Sequence, residues 1–310
     1  MTAIVYILHT GAKGGGGFLN DFLLAIGFGL ITASILALST VALSLQFSVT
    51  NIPNFAHGEI MTAGAYGAWV TQSVTHNVFL AGVVACVMGG VLALFLNSAI
   101  LAPFARSGAK RLVLFILTIA SGLVLQHVIL LIFGGANLPY SLPSSPARRI
   151  GPFILTDRSL AIIGAAVVVM VGVHLILRYT KFGKAQRAVA DSRELARVSG
   201  IDSALIVRLT WLMAGAMGGL AGFVLGVSIG SLTPTLGYTF LLVVFAAAIV
   251  GGIGKPYGAM LGALLIGLAM EVSALYLPSD YKLVVAFAFL IVTLLIRPSG
   301  LFPSFQGARA

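Results

Sequence analysis

The chain has 310 residues; 59% are hydrophobic and only 8% are charged, and the mean hydropathy is +1.08. Soluble domains carry charge on about a quarter of their residues, so this composition excludes a soluble protein and predicts an all-α, polytopic transmembrane helical bundle. The net charge of +10 indicates basic loops on the cytoplasmic side of a membrane and not nucleic-acid binding, because the chain has almost no folded polar surface for a basic patch.

The hydrophobic residues form runs, most of which reach the roughly 20 residues that a helix needs to cross a bilayer. They lack the alternation of barrel strands. We predict a single transmembrane domain over residues 1–310, with residues 1–21 as a flexible N-terminal segment around a glycine tract. A hidden crossing in 1–21 or 51–59 would make the number of spans eight or ten instead of nine. The nine predicted segments are 22–49, 56–74, 78–104, 112–134, 159–177, 205–229, 238–252, 257–277 and 281–296.

The basic residues predict the orientation of these spans. Most of them fall in residues 105–111, 178–204, 253–256 and the C-terminal tail. Cytoplasmic loops carry an excess of Lys and Arg, so these loops and the C-terminus are predicted to be cytoplasmic. Three arginines, Arg148, Arg149 and Arg158, then lie outside, which weakens the bias without reversing it.

Residues 51–59 interrupt the hydrophobic sequence. Pro53 opens the helix there by removing a backbone donor, and the segment carries four strongly polar side chains, namely Asn51, Asn54, His57 and Glu59. Irregular backbone survives in a membrane only when it is buried in protein or lines a cavity. Two interpretations remain open: a short water-exposed turn, or a broken helix that lines a translocation pathway, as in many transporters.

Acidic residues inside spans are expensive and usually functional. Glu59 could sit simply at the membrane interface, whereas Glu271 falls about midway along the predicted span 257–277. For Glu271, a structural hydrogen bond to a neighbouring helix and a role in the pathway are both open.

Residues 183–201 form one of the few polar segments. Asp191 with Glu194 three residues later is typical of a capping box at a helix start, and Gly200 offers a left-handed end, so a helix of about two turns is predicted. The alternative is a solvated charged loop. An apolar face favours docking to a partner outside the membrane; its predicted members are Ala188, Leu195, Ala196 and Val198.

Glycines recur at four-residue spacing in two spans. Such spacing lets the backbones of membrane helices approach closely, although for any single glycine plain packing without a role in transport is the simpler explanation. The predicted packing glycines are Gly215, Gly219, Gly222, Gly258 and Gly262.

No pattern for catalysis or metal binding is recognisable. The nearest match to a phosphate-binding loop, at Gly254 and Lys255, lacks the first glycine and continues with Pro256, and His57 and Glu59 lack zinc-motif spacing. The single Cys86 indicates no metal site. We therefore expect no enzymatic activity, no catalytic residues and no bound cofactor or metal in this chain.

Three groups of residues together are typical of one known family: 51–66, 187–201, and the C-terminal set Pro234, Gly237, 251–254 and 297–301. They resemble the LivH-type permease subunits of bacterial branched-chain amino-acid ABC transporters. The resemblance covers roughly residues 25 to 303 and departs from the family at 45–50, where a glycine-rich run is expected.

The resemblance implies an inner-membrane permease subunit that moves branched-chain or related amino acids by alternating access. It implies a second, different permease chain, two cytoplasmic ATPase subunits that bind ATP and Mg²⁺, and a periplasmic or lipid-tethered binding protein. Relatives for urea or short amides are an alternative, and a secondary transporter or channel is a weaker one. The implied ATPase-coupling residues are Arg187, Ala188, Asp191, Glu194, Ala196, Gly200 and Ile201.

Overall fold

The computed structural model describes residues 17–140, 146–150 and 153–302. The α-helices of the described residues are α1 Gly17–Thr50, α2 His57–Thr75, α3 Val78–Phe95, α4 Ala102–Arg106, α5 Arg111–Phe133, α6 Asp157–Tyr179, α7 Lys181–Asp191, α8 Arg193–Val198, α9 Ser203–Ile229, α10 Leu236–Gly251, α11 Pro256–Ser273 and α12 Lys282–Ile296. A π-helical segment, Leu96–Leu101, connects α3 to α4, and a short 3₁₀ turn, Ser279–Tyr281, precedes α12.

The predicted all-α polytopic bundle is confirmed. Seven helical stretches of the described chain are long and apolar enough to cross a membrane, with α3 to α4 counted as one stretch. The other two of the nine predicted segments are α2 and the shorter apolar α10. Helix α1 already begins at Gly17, so the end of the segment predicted to be flexible is helical. Residues 1–16 lie outside the described residues.

Helix α9 occupies the centre of the bundle, in contact with α1, α2 and α3. On the other side of α1, α11 packs along it, and α10 and α12 pack against α11. Apolar side chains fill these contacts, with Trp211 of α9 and Tyr66 of α2 among the largest that are fully buried. Much of the surface of α5, α6 and α12 is exposed and apolar, as expected for helices that face lipid.

The long connection between α5 and α6 contributes three short strands to two antiparallel pairs. Strand β1 (Leu138–Pro139) pairs antiparallel with β4 (Ser231–Leu232) just after α9, and β2 (Ala147–Ile150) forms a hairpin with β3 (Phe153–Thr156). The first pair attaches the connection to the end of α9. Tyr140 reinforces this attachment because its hydroxyl donates to the Ala65 carbonyl of α2 at 3.0 Å.

Candidate translocation and coupling sites

The break between α1 and α2 is a compact, hydrogen-bonded turn. Asn51 adopts a left-handed conformation with φ of 54°, a region that asparagine tolerates better than most residues, and this turns the chain away from the axis of α1. Asn54 then holds the turn at both ends. Its Oδ1 accepts from the Ala56 amide at 3.1 Å, and its Nδ2 donates to Gln46 Oε1 of α1 at 2.9 Å.

The break packs inside the protein. The Thr118 hydroxyl of α5 accepts a hydrogen bond from the Phe55 amide at 3.2 Å, and its proton is shared between the Phe115 carbonyl at 2.8 Å and the Pro53 carbonyl at 3.3 Å. The Phe55 ring stacks on Phe245 of α10 with ring centroids 4.7 Å apart. Of the two interpretations, a simple water-exposed turn is wrong for residues 53–56, which are half-buried or buried, although Asn51 itself is exposed.

His57 begins α2 in a fully buried position. The Ser39 hydroxyl of α1 lies 3.1 Å from His57 Nε2 and 3.0 Å from the Met61 sulfur, so it connects the two helices. The imidazole also fixes the spacing to α9, because a Cβ at Gly218 would come within 2.9 Å of His57 Cε1. A polar side chain is thus enclosed where α1, α2 and α9 meet.

Glu59 is buried two residues further along α2, with 3% of its surface exposed. Glu59 is therefore enclosed by protein and not exposed on the surface of the chain. The neighbouring Thr62 donates to the Gly58 carbonyl at 3.2 Å and accepts from the Gly237 amide of α10 at 3.0 Å. The first turn of α2 is consequently bound to the start of α10, close to a buried carboxyl group.

Several buried polar atoms of α1 and of the first turn of α2, which together we call the polar seam, have no hydrogen-bond partner among the described residues. Buried polar groups are costly unless they are hydrogen-bonded, so the polar seam is a candidate path for a polar solute. These atoms are Thr40 Oγ1, Ser44 Oγ, Gln46 Nε2, His57 Nδ1 and Glu59 Oε2.

The polar residues of α1 were missed at the sequence level. Ser39, Thr40, Ser44 and Gln46 are all fully buried, yet the run 22–49 was interpreted as a uniformly apolar span. The available signal was the spacing within two pairs: Thr40 and Ser44 are four residues apart and Ser39 and Gln46 are seven apart, which places each pair on one face of the helix.

Glu271 lies apart from this seam. Its Oε2 pairs with Lys282 Nζ at 2.6 Å, and its Oε1 accepts from the Thr32 hydroxyl of α1 at 3.0 Å. Helix α11 ends at Ser273, so the midway position predicted for Glu271 is wrong and the residue sits near the helix end. Thr32 is seven residues before Ser39, the partner of His57 on α1, and thus about 10 Å along the helix, so Glu271 is not in direct contact with the other pathway candidates.

The polar segment 183–201 contains two helices, α7 and α8, instead of one. Asp191 is the last residue of α7, and the predicted cap at Asp191 is wrong. The N-cap of α8 is Ser192, whose hydroxyl accepts from the Leu195 amide at 3.3 Å. At its other end, α7 is capped by Thr180, whose hydroxyl accepts from the Gly183 amide.

The end of α8 follows the prediction. Gly200 is left-handed with φ of 81°, its amide donates to the Arg197 carbonyl, and the Ile201 amide donates to the Ala196 carbonyl at 2.9 Å. These two bonds make a Schellman motif, which satisfies the last carbonyls of the helix.

Of the apolar residues predicted to form one face of this segment, some are buried in the core and others are exposed. Ala196 is 3% exposed and packs among Val49, Ile206 and other core residues of its own chain. The prediction that Ala196 belongs to the face that docks to a partner is therefore wrong. Leu195 and Val198 are 68% and 88% exposed, so they form the outward apolar surface. Of the other coupling candidates, Asp191, Glu194 and Gly200 are exposed, and Ala188 and Ile201 are half-buried.

Hydrogen bonds attach this segment to the end of α1. Arg193 Nη2 donates to the Val49 carbonyl at 3.0 Å, and Gln186 Nε2 donates to the Ser48 hydroxyl at 2.9 Å. Arg187 donates to the Leu177 carbonyl at the end of α6. Helices α7 and α8 are therefore held directly beside the turn that begins at Asn51.

The predicted packing glycines all lie at contacts between helices. A Cβ at Gly219 or Gly215 would overlap the backbone of α3, and one at Gly222 would overlap the Met61 carbonyl of α2. Gly258 and Gly262 are equally tight against α10.

As for metals, no group of three or more His, Cys, Asp or Glu suited to an ion occurs in the part of the chain that the structure describes.

The sequence profile of the family described as "Branched-chain amino acid transport system / permease component" matches residues 25–294. The permease LivH of Escherichia coli K12 is 30% identical over 88% of this chain and 92% of its own length. BraD of Pseudomonas aeruginosa is 30% identical over 88% and 93%. The solved structure of PsaBC from Streptococcus pneumoniae covers 88% of this chain and 91% of its own with a TM-score of 0.50 at 14% identity, and therefore supports the fold alone. The chain is a multi-pass membrane protein that belongs to the permease family of branched-chain amino-acid transport systems.

Proposed function

We propose that this chain is the membrane-spanning permease subunit of an ABC importer for branched-chain or related amino acids in a bacterial inner membrane. Its proposed partners are a second permease chain, two cytoplasmic ATPase subunits that hold ATP and Mg²⁺, and a binding protein that delivers the substrate. The chain itself acts in transport and not in catalysis. Family membership supports this assignment.

The orientation is proposed from two sets of contacts. Arg106 and Arg111 line the same cavity as Arg193 of α8, so the basic loops converge on one face of the bundle. The C-terminal region reaches this face too, because Lys255 donates to the Phe302 carbonyl and the adjacent Gly254 packs on Phe47 near the end of α1. The excess of basic charge supports a cytoplasmic location for this face and for the C-terminus.

The observation that carries the mechanism is the position of α8. Its outward residues Leu195 and Val198 are available to a cytoplasmic partner, while Arg193 holds the helix to the last turn of α1. A movement of the ATPase subunits would pull on α8 and, through the Val49 carbonyl, on the turn between α1 and α2. We assign α8 as the coupling helix.

The pathway is assigned to the polar seam of α1 and α2. Asn54, His57 and Glu59 follow the turn that α8 would move, and unpartnered polar atoms of α1 continue the seam into the bundle. Such groups could replace part of the hydration of an amino acid as it crosses. A displacement of this turn would open or close the seam, as alternating access requires.

The proposed function is tested with the full chain, its ATPase subunits, the second permease and the binding protein in proteoliposomes. We expect leucine uptake and leucine-stimulated ATP hydrolysis, and no hydrolysis by the purified chain alone. Val198→Asp should weaken ATPase pull-down at least about tenfold, since apolar anchors of interfaces contribute roughly 2 kcal/mol or more.

A matched control is Val74→Asp, because Val74 is 76% exposed at the far end of α2, away from α8. It should leave ATPase binding unchanged at equal membrane levels. Normal ATPase binding and uptake by Val198→Asp would contradict the assignment of α8, and robust ATP hydrolysis by the isolated chain would contradict the assignment of the subunit.

A further inference from the structure

An arginine-lined cavity of about 730 Å³ opens beside α8. No carboxylate is among the described residues that line it. One wall comes from the end of α4 and the start of α5, and the other from α8 and the start of α9. Its arginines are Arg106, Arg111, Arg193, Arg197 and Arg208.

The charge of these arginines is not neutralised inside the cavity. Asp202 interacts electrostatically with Arg208 and Arg197, but its carboxylate already accepts hydrogen bonds from the Ala204 and Leu205 amides as the N-cap of α9. Burial, and next the charge of Arg197, lowers the pKa of Arg193. Like charges gathered in one cavity without a counter-charge favour an anionic ligand.

The cavity is not purely polar. Apolar side chains from four elements complete its lining: Ile52 in the turn after α1, Leu101 in the π-helical segment, Leu114 in α5 and Val207 in α9. A free inorganic anion would gain nothing from these surfaces. A ligand with a phosphate group and an adjoining hydrocarbon part would contact both kinds of lining.

The position of the cavity favours a lipid. It lies where α4, α5 and α9 end or begin, at the boundary between the apolar spans and the basic loops. The N-cap of α5, Lys110, makes no capping hydrogen bond through its side chain, so the helix start beside Arg111 adds amide donors to the arginine cluster. Basic pockets between membrane helices on the cytoplasmic side are typical of sites for anionic headgroups.

We propose that this cavity binds the phosphate headgroup of an anionic phospholipid from the cytoplasmic leaflet. Arginine forks bind phosphate oxygens in bidentate geometry, and the apolar lining accommodates the first part of the acyl chains. The bound lipid would bridge α4–α5 and α8–α9 and so stiffen the support of α8. The inference uses the proposed sidedness of the chain and is independent of the transported substrate.

The test titrates the full purified chain in detergent with dioleoyl phosphatidylglycerol or dioleoyl phosphatidylcholine, which share acyl chains and differ in net charge. Native mass spectrometry counts the lipids retained. The wild-type chain should retain phosphatidylglycerol in preference to phosphatidylcholine, and added salt should weaken the preference. Millimolar inorganic phosphate should not displace the lipid.

The variant Arg106→Gln/Arg111→Gln should bind phosphatidylglycerol roughly 10- to 30-fold more weakly, because each basic residue near an anionic headgroup contributes about 1 kcal/mol. Its control is Lys181→Gln/Lys184→Gln, which removes two exposed charges of α7 outside the cavity and should bind normally. Thermal unfolding in phosphatidylcholine checks that both variants fold. If the double variant does not fold, the single variant Arg106→Gln replaces it, and its loss of binding free energy should be about half of that expected for the double variant.

Three results would overturn the proposal. Equal retention of the two lipids by the wild-type chain would remove the anionic preference. Displacement by inorganic phosphate would identify a free anion as the ligand. Unchanged lipid binding by Arg106→Gln/Arg111→Gln, with loss of ATPase pull-down instead, would assign the arginines to an acidic protein surface.

Discussion

Helices α9 and α6 are both long and apolar, but they occupy different surroundings. In the most apolar 18-residue stretch of each helix, 67% of the stretch is buried in α9 and only 22% in α6. Glycines make the contrast clearest. Gly219 and Gly222 of α9 touch the backbones of α3 and α2, whereas Gly164 and Gly172 of α6 have nothing within 4 Å of an added Cβ. Hydropathy identifies both as spans, and only the contacts of small residues separate a helix that faces helices from one that faces lipid.

The largest expected difference is between a glycine-to-leucine change in α9 and the same change in α6. Gly222→Leu should destroy assembly, because the side chain would overlap the Met61 carbonyl of α2 and overpacking against backbone costs several kcal/mol. Gly172→Leu places the same side chain in open space and should behave as the wild type. Fluorescence-detected size exclusion of solubilised membranes measures both. Equal amounts of folded protein from the two variants would break the comparison.

A smaller effect is expected at the contact where an ion pair, and not a close approach of glycines, holds two helices together. Glu271→Leu should lower the free energy of unfolding by on the order of 2 kcal/mol, between the values for exposed and buried pairs, because Lys282 loses its partner. Glu271→Gln should be milder, since an amide oxygen still accepts from Thr32. Thermal unfolding in detergent measures the loss of stability in each of the two variants.

The control for this pair is Lys282→Met, alone and combined with Glu271→Leu. If the two groups interact, the double variant should lose less stability than the sum of the single variants. Additive losses would show that the 2.6 Å contact contributes nothing.

The smallest expected effect distinguishes the two candidate caps of α8. Ser192→Ala removes the acceptor for the Leu195 amide and should cost about 1 kcal/mol of local helix stability, which corresponds to roughly fivefold faster hydrogen exchange at that amide. Asp191→Ala leaves this hydrogen bond in place and should exchange as the wild type does. Faster exchange in Asp191→Ala than in Ser192→Ala would restore the capping box at Asp191.

The spans and the glycine contacts followed from the sequence because they depend on local composition. The start of α8 did not. Asp191 and Ser192 are both good caps, and the choice depends on where α7 ends. Helix α7 is positioned by contacts far away in the chain, such as Gln186 with Ser48, which no local pattern contains.

The same reason explains the errors in the candidate sites. Ala196 and Val198 are two residues apart on one short helix, and their apolar character is alike; only the packing of α8 on the core decides that one is buried and the other exposed. The predicted span ran on to Leu277 because hydropathy continues that far, whereas the helix ends at Ser273, two residues after Glu271. The partner Lys282 lies beyond the turn that follows.

The central claim, that α9 is packed backbone to backbone while α6 faces lipid, is tested most directly by alanine. This substitution adds only the Cβ, so no rotamer can avoid the contact. The thermal midpoint should fall in Gly219→Ala and Gly222→Ala. In Gly164→Ala and Gly172→Ala it should stay unchanged or rise slightly, since alanine is up to about 1 kcal/mol better than glycine in a helix. A fall of similar size in all four variants, or in none, would contradict the account.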